Sequence, residues 1–236
     1  MNNNVDRFIE KYKELEVAVR TTYGIDKGNS VSYYLTQQNK FSKYKDDILL
    51  CSDTRNLIQH GRHVNDGFVV QPTDQMIHFM DSLISKIKNR QRCGDVMVPI
   101  SEVYWQKEQG KISDAIKIMK EKTYTHVPIL DERKVIGVFD ENALFWHLSE
   151  EKEVSYNEES TFSSIKKYLS LEGREGESFL FAKKGDYVDV IEDRINEAFK
   201  ERKRIGMVFI TETGDKTGKL QGILTPWDII ASYKEI

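Results

Sequence analysis

One pattern occurs twice between residue 93 and residue 236. His126-Val-Pro-Ile-Leu-Asp131, a short polar turn and Val135-Ile-Gly-Val-Phe139 make the first copy. Gly206-Met-Val-Phe-Ile-Thr211, a longer turn with Gly214 and Gly218, and Leu220-Gln-Gly-Ile-Leu224 make the second. Each copy reads as two apolar strands joined in a hairpin. An amphipathic helix precedes each: Ile112, Ala115, Ile116 and Met119 in the first, Val188, Ile191, Ile195, Ala198 and Phe199 in the second. A short extended piece comes before each helix, Val103-Tyr-Trp105 and Phe179-Leu-Phe181, and a further helix closes each copy, from Glu141 to about Leu148 and from Pro226 to about Tyr233. The order strand–helix–strand–strand–helix therefore repeats, with Gly137 and Gly222 equivalent. Such copies bury a core between them.

The first ninety residues carry a different, helical periodicity. Phe8, Tyr12, Leu15 and Val19 mark one face of a helix. Tyr33, Tyr34 and Leu35 belong to a second helix. Phe41, Tyr44, Ile48, Cys51 and Ile58 share a stripe of a third, with Gly61 as its stop. Asp66-Gly67 predicts a tight turn between short extended pieces. Pro72-Thr73-Asp74 opens a fourth helix, on which Met76, Met80, Leu83, Ile84 and Ile87 share a face. Four helices of this length predict a small antiparallel bundle.

Composition excludes several classes. Residues 1–92 carry 14 basic and 11 acidic side chains, net +3; residues 93–236 carry 21 and 27, net −6. That near-balance does not describe a chain that grips nucleic acid along its whole surface. Lys86, Lys88, Arg90 and Arg92, around the end of the fourth helix, suit a solvated helix terminus. No apolar run reaches the 18 or so residues of a membrane span. The first residues have neither a basic flank nor an apolar stretch, so no secretory signal is expected. Cys51 and Cys93 fit free thiols in a reducing cytosol, and the expected localisation is cytoplasmic.

The repeat, with Asp95-Val-Met-Val-Pro99 at its start and Gly222-Ile-Leu-Thr-Pro-Trp-Asp228 near its end, resembles a tandem pair of CBS domains, also called a Bateman module. The resemblance covers roughly residues 93–236. It implies a pseudo-twofold α/β module with two clefts that often hold adenine nucleotides. In that family a Gly-x-x-Thr/Ser-x-x-Asp run follows the third strand; the hydroxyl residue contacts phosphate and the Asp takes the ribose hydroxyls. Gly222, Thr225 and Asp228 match it in full.

Spacing alone places Thr225 as an N-cap, Pro226 at the first helical position and Asp228 at the third. The unsatisfied N–H groups of such a helix start favour an anion. The same residues also make a capping box that needs no ligand. In the first copy Asp140 and Ala143 stand where the family has its hydroxyl and its ribose-binding Asp. A carboxylate there repels phosphate, so the first cleft is expected to be empty or to take something without phosphate. His126 lies where some family members place a ligand contact. In the second copy Arg204 and Met207 are further candidate contacts, and Tyr187 and Phe179–Phe181 are candidate walls for a base, although aromatics at such positions also serve as core.

Arg55-Asn-Leu-Ile-Gln-His60 resembles the signature of the all-helical HEPN family. Active members cleave RNA without metal across a dimer interface. By that resemblance His60 acts as acid or base toward the ribose 2′-hydroxyl. Arg55 stabilises charge on phosphorus, and Asn56 orients the two. Residues five apart on a helix point about 140° from each other, so convergence needs a loosened helix end or a second subunit. The alternative is an ion pair at Arg55 and a helix cap at His60. His60 and His63 lack a third ligand, and no metal is expected.

The sequence thus predicts an α/β (α+β) tandem CBS pair preceded by a small all-α bundle, with boundaries 1–92, 93–150 and 151–236. The expected function is nucleotide sensing that controls the helical domain. No cofactor is required, and AMP, ADP or ATP is the expected regulatory ligand. Both resemblances imply a homodimer. The alternative is a metal-independent ribonuclease gated by the pair, with RNA as the partner of the N-terminal domain.

Overall fold

The computed structural model describes residues 4–61, 68, 70–150, 157, 159–174 and 176–232. The expected Asp66-Gly67 turn, His63 and the end of the last helix at Tyr233 lie outside them. The chain divides into two compact units, Met1–Arg90 and Gln91–Lys234.

The first unit is all helical. Helix α1 (Asn4–Tyr23) buries Val5, Phe8, Tyr12, Leu15, Ala18 and Val19, which recur every three or four residues and so fall on one side of the cylinder. Helix α2 (Val31–Gln37) begins at Ser30, whose side chain accepts the Tyr33 N–H. A 3-10 turn (Asn39–Tyr44) leads into helix α3 (Lys45–His60), so the stripe from Phe41 to Ile58 spans two elements. Helix α4 (Asp74–Lys88) is capped by Thr73, which accepts the Met76 N–H, and buries Ile77, Met80, Leu83, Ile84 and Ile87. Gly61 does end α3, but with extended backbone (φ −69°, ψ 155°) and not a left-handed turn. Its small size is required because a Cβ there would lie 2.2 Å from the Leu57 carbonyl oxygen.

The second unit contains the two copies. After the short helix α5 (Cys93–Val96) and strand β1 (Val98–Pro99), the first runs through helix α6 (Ile112–Lys122), strands β2 (His126–Asp131) and β3 (Lys134–Asp140) and helix α7 (Glu141–Glu150). A 3-10 segment, Phe162–Leu169, precedes the second: strand β4 (Glu177–Ala182), helix α8 (Val188–Lys200), strands β5 (Arg204–Thr211) and β6 (Leu220–Leu224) and helix α9 (Pro226–Ser232). Val103–Trp105 is not a strand; the extended piece of the first copy reaches the sheet only at Gln106, which bridges to Ile129 in parallel.

The sheets do not respect the sequence division. One is the β2–β3 hairpin; the other has order β1-β6-β5-β4. Strand β1 precedes the first copy yet pairs antiparallel with β6 of the second, Val98 opposite Ile223 and Pro99 opposite Gly222. The copies also share a core: Leu130, Val135 and Val138 pack with Met207, Phe209 and Leu220. Each keeps a core of its own, one around Phe139 and Phe162, the other around Val208 and Ile210.

Two expected core residues are misplaced: Ile116, next to Ala115 on α6, is 43% exposed, and Phe199 on α8 more so. Phe199 is 78% exposed. Val188, Ile191, Ile195 and Ala198 hold the inner face of α8 at steps of three and four, which turns the next residue about 100° away.

Candidate functional site

Gly137 and Gly222 occupy matching places. A Cβ on Gly222 would lie 2.6 Å from the Val98 carbonyl oxygen and 2.7 Å from Met97 Sδ; one on Gly137 would lie 2.7 Å from the Leu169 carbonyl oxygen. In each case the segment leading into one copy crosses the last strand of the other, and only glycine leaves room. Three residues beyond each glycine a helix starts, at Thr225–Pro226 and Asp140–Glu141. These are the places where the family resemblance puts the two clefts of the pair.

In the second cleft, Thr225 N–H and Thr225 Oγ1 each donate to Asp228 Oδ2 at 2.7 Å, and Asp228 N–H donates to Thr225 Oγ1 at 3.4 Å. This is a closed capping box with the carboxylate half-buried. Among the described residues no hydrogen bond reaches Asp228 Oδ1. Met207 lies level with Thr225, since the next residue, Val208, pairs with Leu224. Its side chain, 4% exposed, packs into the shared core.

Arg204 does not join this pair. Its Nη2 donates to Glu177 Oε1 at 2.9 Å, and the two residues face each other where β4 and β5 begin. A buried carboxylate is a stronger claimant for a guanidinium than solvent is.

The first cleft is filled by charge. His126 Nε2 lies 3.1 Å from Glu177 Oε1 and Nδ1 lies 2.8 Å from Thr125 Oγ1. Arg174 Nη1 donates to Asp140 Oδ2 at 2.9 Å and approaches Glu177 Oε2 at 3.7 Å. Asp140 Oδ1 accepts the Ala143 N–H at 2.9 Å, so Asp140 is the N-cap its position predicts. The Glu177 side chain is 2% exposed. Gly206 makes room for it: a Cβ there would lie 2.8 Å from Glu177 Oε1 and 2.9 Å from His126 Nε2.

The two carboxyls titrate against each other. Burial, the largest effect, pushes the Asp140 carboxyl up, and the Arg174 charge and Ala143 N–H only partly offset it. Burial also opposes ionisation of Glu177, but His126, Asp140 and Arg204 together hold it low, at about 2. Asp140 is therefore the member that keeps a proton longer. His126, Asp140 and Glu177 bring one donor atom each within 4.8 Å of one another. The guanidinium on Asp140 and that on Glu177 supply the cations this group needs, which makes it an ion-pair network and not a metal cradle.

The aromatic candidates belong to the scaffold. The Phe179 and Phe181 rings pack on Phe209 at 5.8 and 5.3 Å. Arg92 lies over the Tyr187 ring at 4.8 Å and donates to its hydroxyl at 3.3 Å.

In the helical unit Arg55 Nη1 donates to Asn56 Oδ1 at 3.1 Å, and its guanidinium lies 5.8 Å from the centre of the Tyr12 ring. His60 is exposed in the last turn of α3, and among the hydrogen bonds of the described residues none joins it to Arg55 or Asn56. Cys51 and Cys93 are buried; burial pushes both thiols up to about 11, which leaves them unreactive.

Sequence reasoning missed Arg174 and Glu177. Their only signal is two charges in the turn Glu172-Gly-Arg-Glu-Gly-Glu177, which reads as solvated loop until the partners are known.

Comparison with known proteins gives one family match: residues 107–150 match the model of the CBS domain. No curated protein matches. Similar solved structures include CBSX2 in complex with AMP, at 20% identity over 60% of this chain and 95% of that one, TM-score 0.43. The CBS domain pair of protein MJ0100, in complex with 5′-methylthioadenosine and S-adenosylmethionine, is 19% identical over 60% and 94%, TM-score 0.42. The CBS domain of a bacterial CNNM/CorC family Mg2+ transporter in complex with ATP is 18% identical over 59% and 84%, TM-score 0.41.

Proposed function

We propose that residues 93–236 act as a tandem CBS pair that senses an adenine nucleotide or nucleoside in the second cleft and controls the helical unit. The observation that carries this reading is Asp228. One of its carboxylate oxygens is spent on Thr225, and the other accepts no hydrogen bond among the described residues. That oxygen is available to a ribose diol, and Thr225 meets a phosphate or sugar oxygen by exchanging a hydrogen bond it now donates to Asp228 Oδ2. Met207 supports the cleft wall from the core, and Arg204 has no part in it.

Control requires the ligand to favour one arrangement of the chain over another. Pairing of two copies is the simplest such arrangement. Helices α7 and α9 start at equivalent places in the two repeats, and both present apolar side chains to solvent: Phe145 at 62% and Leu148 on one, Trp227 at 79% and Ile230 on the other. Exposed faces of this kind support a homodimer. Catalysis by the helical unit is no part of the proposal.

The test is a thermal-shift screen of AMP, ADP, ATP and GTP on the full chain. A nucleotide present at 100 times its dissociation constant stabilises by about 2.7 kcal/mol. The shift is expected with an adenine nucleotide and is expected to vanish in Asp228→Ala. A shift that survives that substitution, or none with any nucleotide, refutes the reading.

A further inference from the structure

We propose that the Arg174 guanidinium is the resident occupant of the first cleft, so that the repeat pair takes up small ligand in its second cleft alone. The stoichiometry rests on the reading of Thr225 and Asp228 above. The occupancy rests on geometry independent of it.

Arg174 uses every nitrogen of its fork. Nε donates to the Ser170 carbonyl at 2.7 Å, Nη1 to Asp140 Oδ2 at 2.9 Å, and Nη2 to the carbonyls of Val138 and, at 3.3 Å, Tyr168. The guanidinium also lies 5.2 Å from the centre of the Phe179 ring. Val138 and Asp140 belong to the strand that is crossed at Gly137, and Tyr168 and Ser170 belong to the crossing segment. The side chain therefore ties the crossing shut, with 12% of its surface exposed.

Among the described residues the second cleft has no such tie. There the crossing segment is held by the β1–β6 ladder, and the side-chain hydrogen bonds of Thr225 and Asp228 join them to each other. The two departures of the first copy follow from Arg174 together. Moving the carboxylate from the first turn of the helix (Asp228) to its cap (Asp140) brings it against the guanidinium, and Ala143 gives up the position that a sugar would need.

The space that remains is small for a nucleotide, and the cations beside it are already paired. The cavity beside Arg174 is about 240 Å³ and is lined by Trp146, Tyr168 and Gly173 among others, below the roughly 300–1,000 Å³ of ligand pockets in general. Its lining carries Glu150, Glu172 and Glu177 against Lys167 and Arg174. Lys167 is bridged to Glu150 at 2.5 Å, so neither cation is available to an incoming anion.

Chemical rescue tests the occupancy. Arg174→Ala is expected to melt on the order of 10 °C lower, as for a buried ion pair that loses one member. Millimolar methylguanidinium is expected to restore part of that loss saturably, while methylammonium does not. Arg174→Lys, which keeps the charge without the planar fork, is expected to melt below wild type and to gain nothing from methylguanidinium. Should Arg174→Ala fail to fold, Arg174→Ala/Asp140→Asn removes the stranded carboxylate, and methylguanidinium, with the Val138 and Tyr168 carbonyls as acceptors, should still raise its melt saturably while methylammonium does not. An unchanged melt, or an absent rescue in every variant, overturns the occupancy. Calorimetric titration of wild type with AMP is expected to give one equivalent per chain, and Asp228→Ala none. Two equivalents, or one remaining in Asp228→Ala, overturns the single-cleft assignment. No AMP binding alongside intact rescue refutes the Thr225–Asp228 reading and upholds Arg174 as occupant.

Discussion

The carbonyl oxygen of Val98 sits over Gly222 so closely that a methyl group on the glycine would begin 2.6 Å from it. Gly222→Ala must push the crossing backbone off the sheet. Overpacking of this kind costs about 1–3 kcal/mol, or roughly 2–12 °C in melting temperature. Gly137→Ala meets the Leu169 carbonyl in the same way and should cost a similar amount. Gly28→Ala, where a Cβ meets nothing within 4 Å, should be neutral. Melts of the three variants check the contrast, and equal effects at all three would contradict it.

Phe209 is fully buried in the core shared by the repeats, with Phe179 and Phe181 against it. Phe209→Ala is expected to destabilise by about 3–5 kcal/mol through lost burial and the cavity left behind. Urea unfolding monitored by tryptophan fluorescence measures it. A loss under about 1 kcal/mol would mean that the copies do not depend on a joint core.

Glu177 makes stability depend on acid. Its carboxyl is held below the ordinary range, at about 2, so its contribution is complete above pH ~4.5 and is lost as pH falls toward 2. Asp140 acts with the opposite sign, because burial raises its carboxyl and the folded form holds the proton more tightly. Wild type should therefore lose more stability than Glu177→Gln between pH 5 and pH 3. Urea midpoints across that window test the sign; parallel curves would remove Glu177 from the balance.

In the helical unit Arg55 rests near Tyr12 and Asn56 while His60 faces solvent. His60→Ala should leave the melting temperature within about 2–4 °C, since surface substitutions rarely exceed about ±0.5 kcal/mol. Incubation of wild type with single-stranded RNA and a chelator should leave the RNA intact. Cleavage that disappears in His60→Ala would establish the ribonuclease alternative instead.

The repeated architecture was legible because each strand and helix carries its own local period, and because Gly137 and Gly222 fall at the same offset from a helix start. The 3-10 segment Phe162–Leu169 escaped because it is short and broken at Ile165, whose φ/ψ are non-helical. The turn Glu132–Arg133 takes two left-handed residues, φ 44° and 67°, with no Gly or Asn to announce it. Its position is secured from the second copy, where the Leu220 N–H donates to the Arg133 carbonyl at 2.7 Å.

At the sites the division is sharper. Thr225 and Asp228 are three residues apart, and helix geometry alone brings them together. Arg174 meets Asp140 across 34 residues, and His126 meets Glu177 across 51. No local period encodes such pairs. The candidate contact Arg204 is a further case: its partner Glu177 is 27 residues upstream on the neighbouring strand.

Strand β1 has one further consequence. Its residues are made before either copy, yet their ladder partners lie in the last strand of the second. A chain cut between Glu150 and Ser160 would leave the front fragment holding a strand that completes the back one. Neither fragment should be stable by itself, whereas the two mixed should reassemble, which makes this half of the protein a natural candidate for a split reporter.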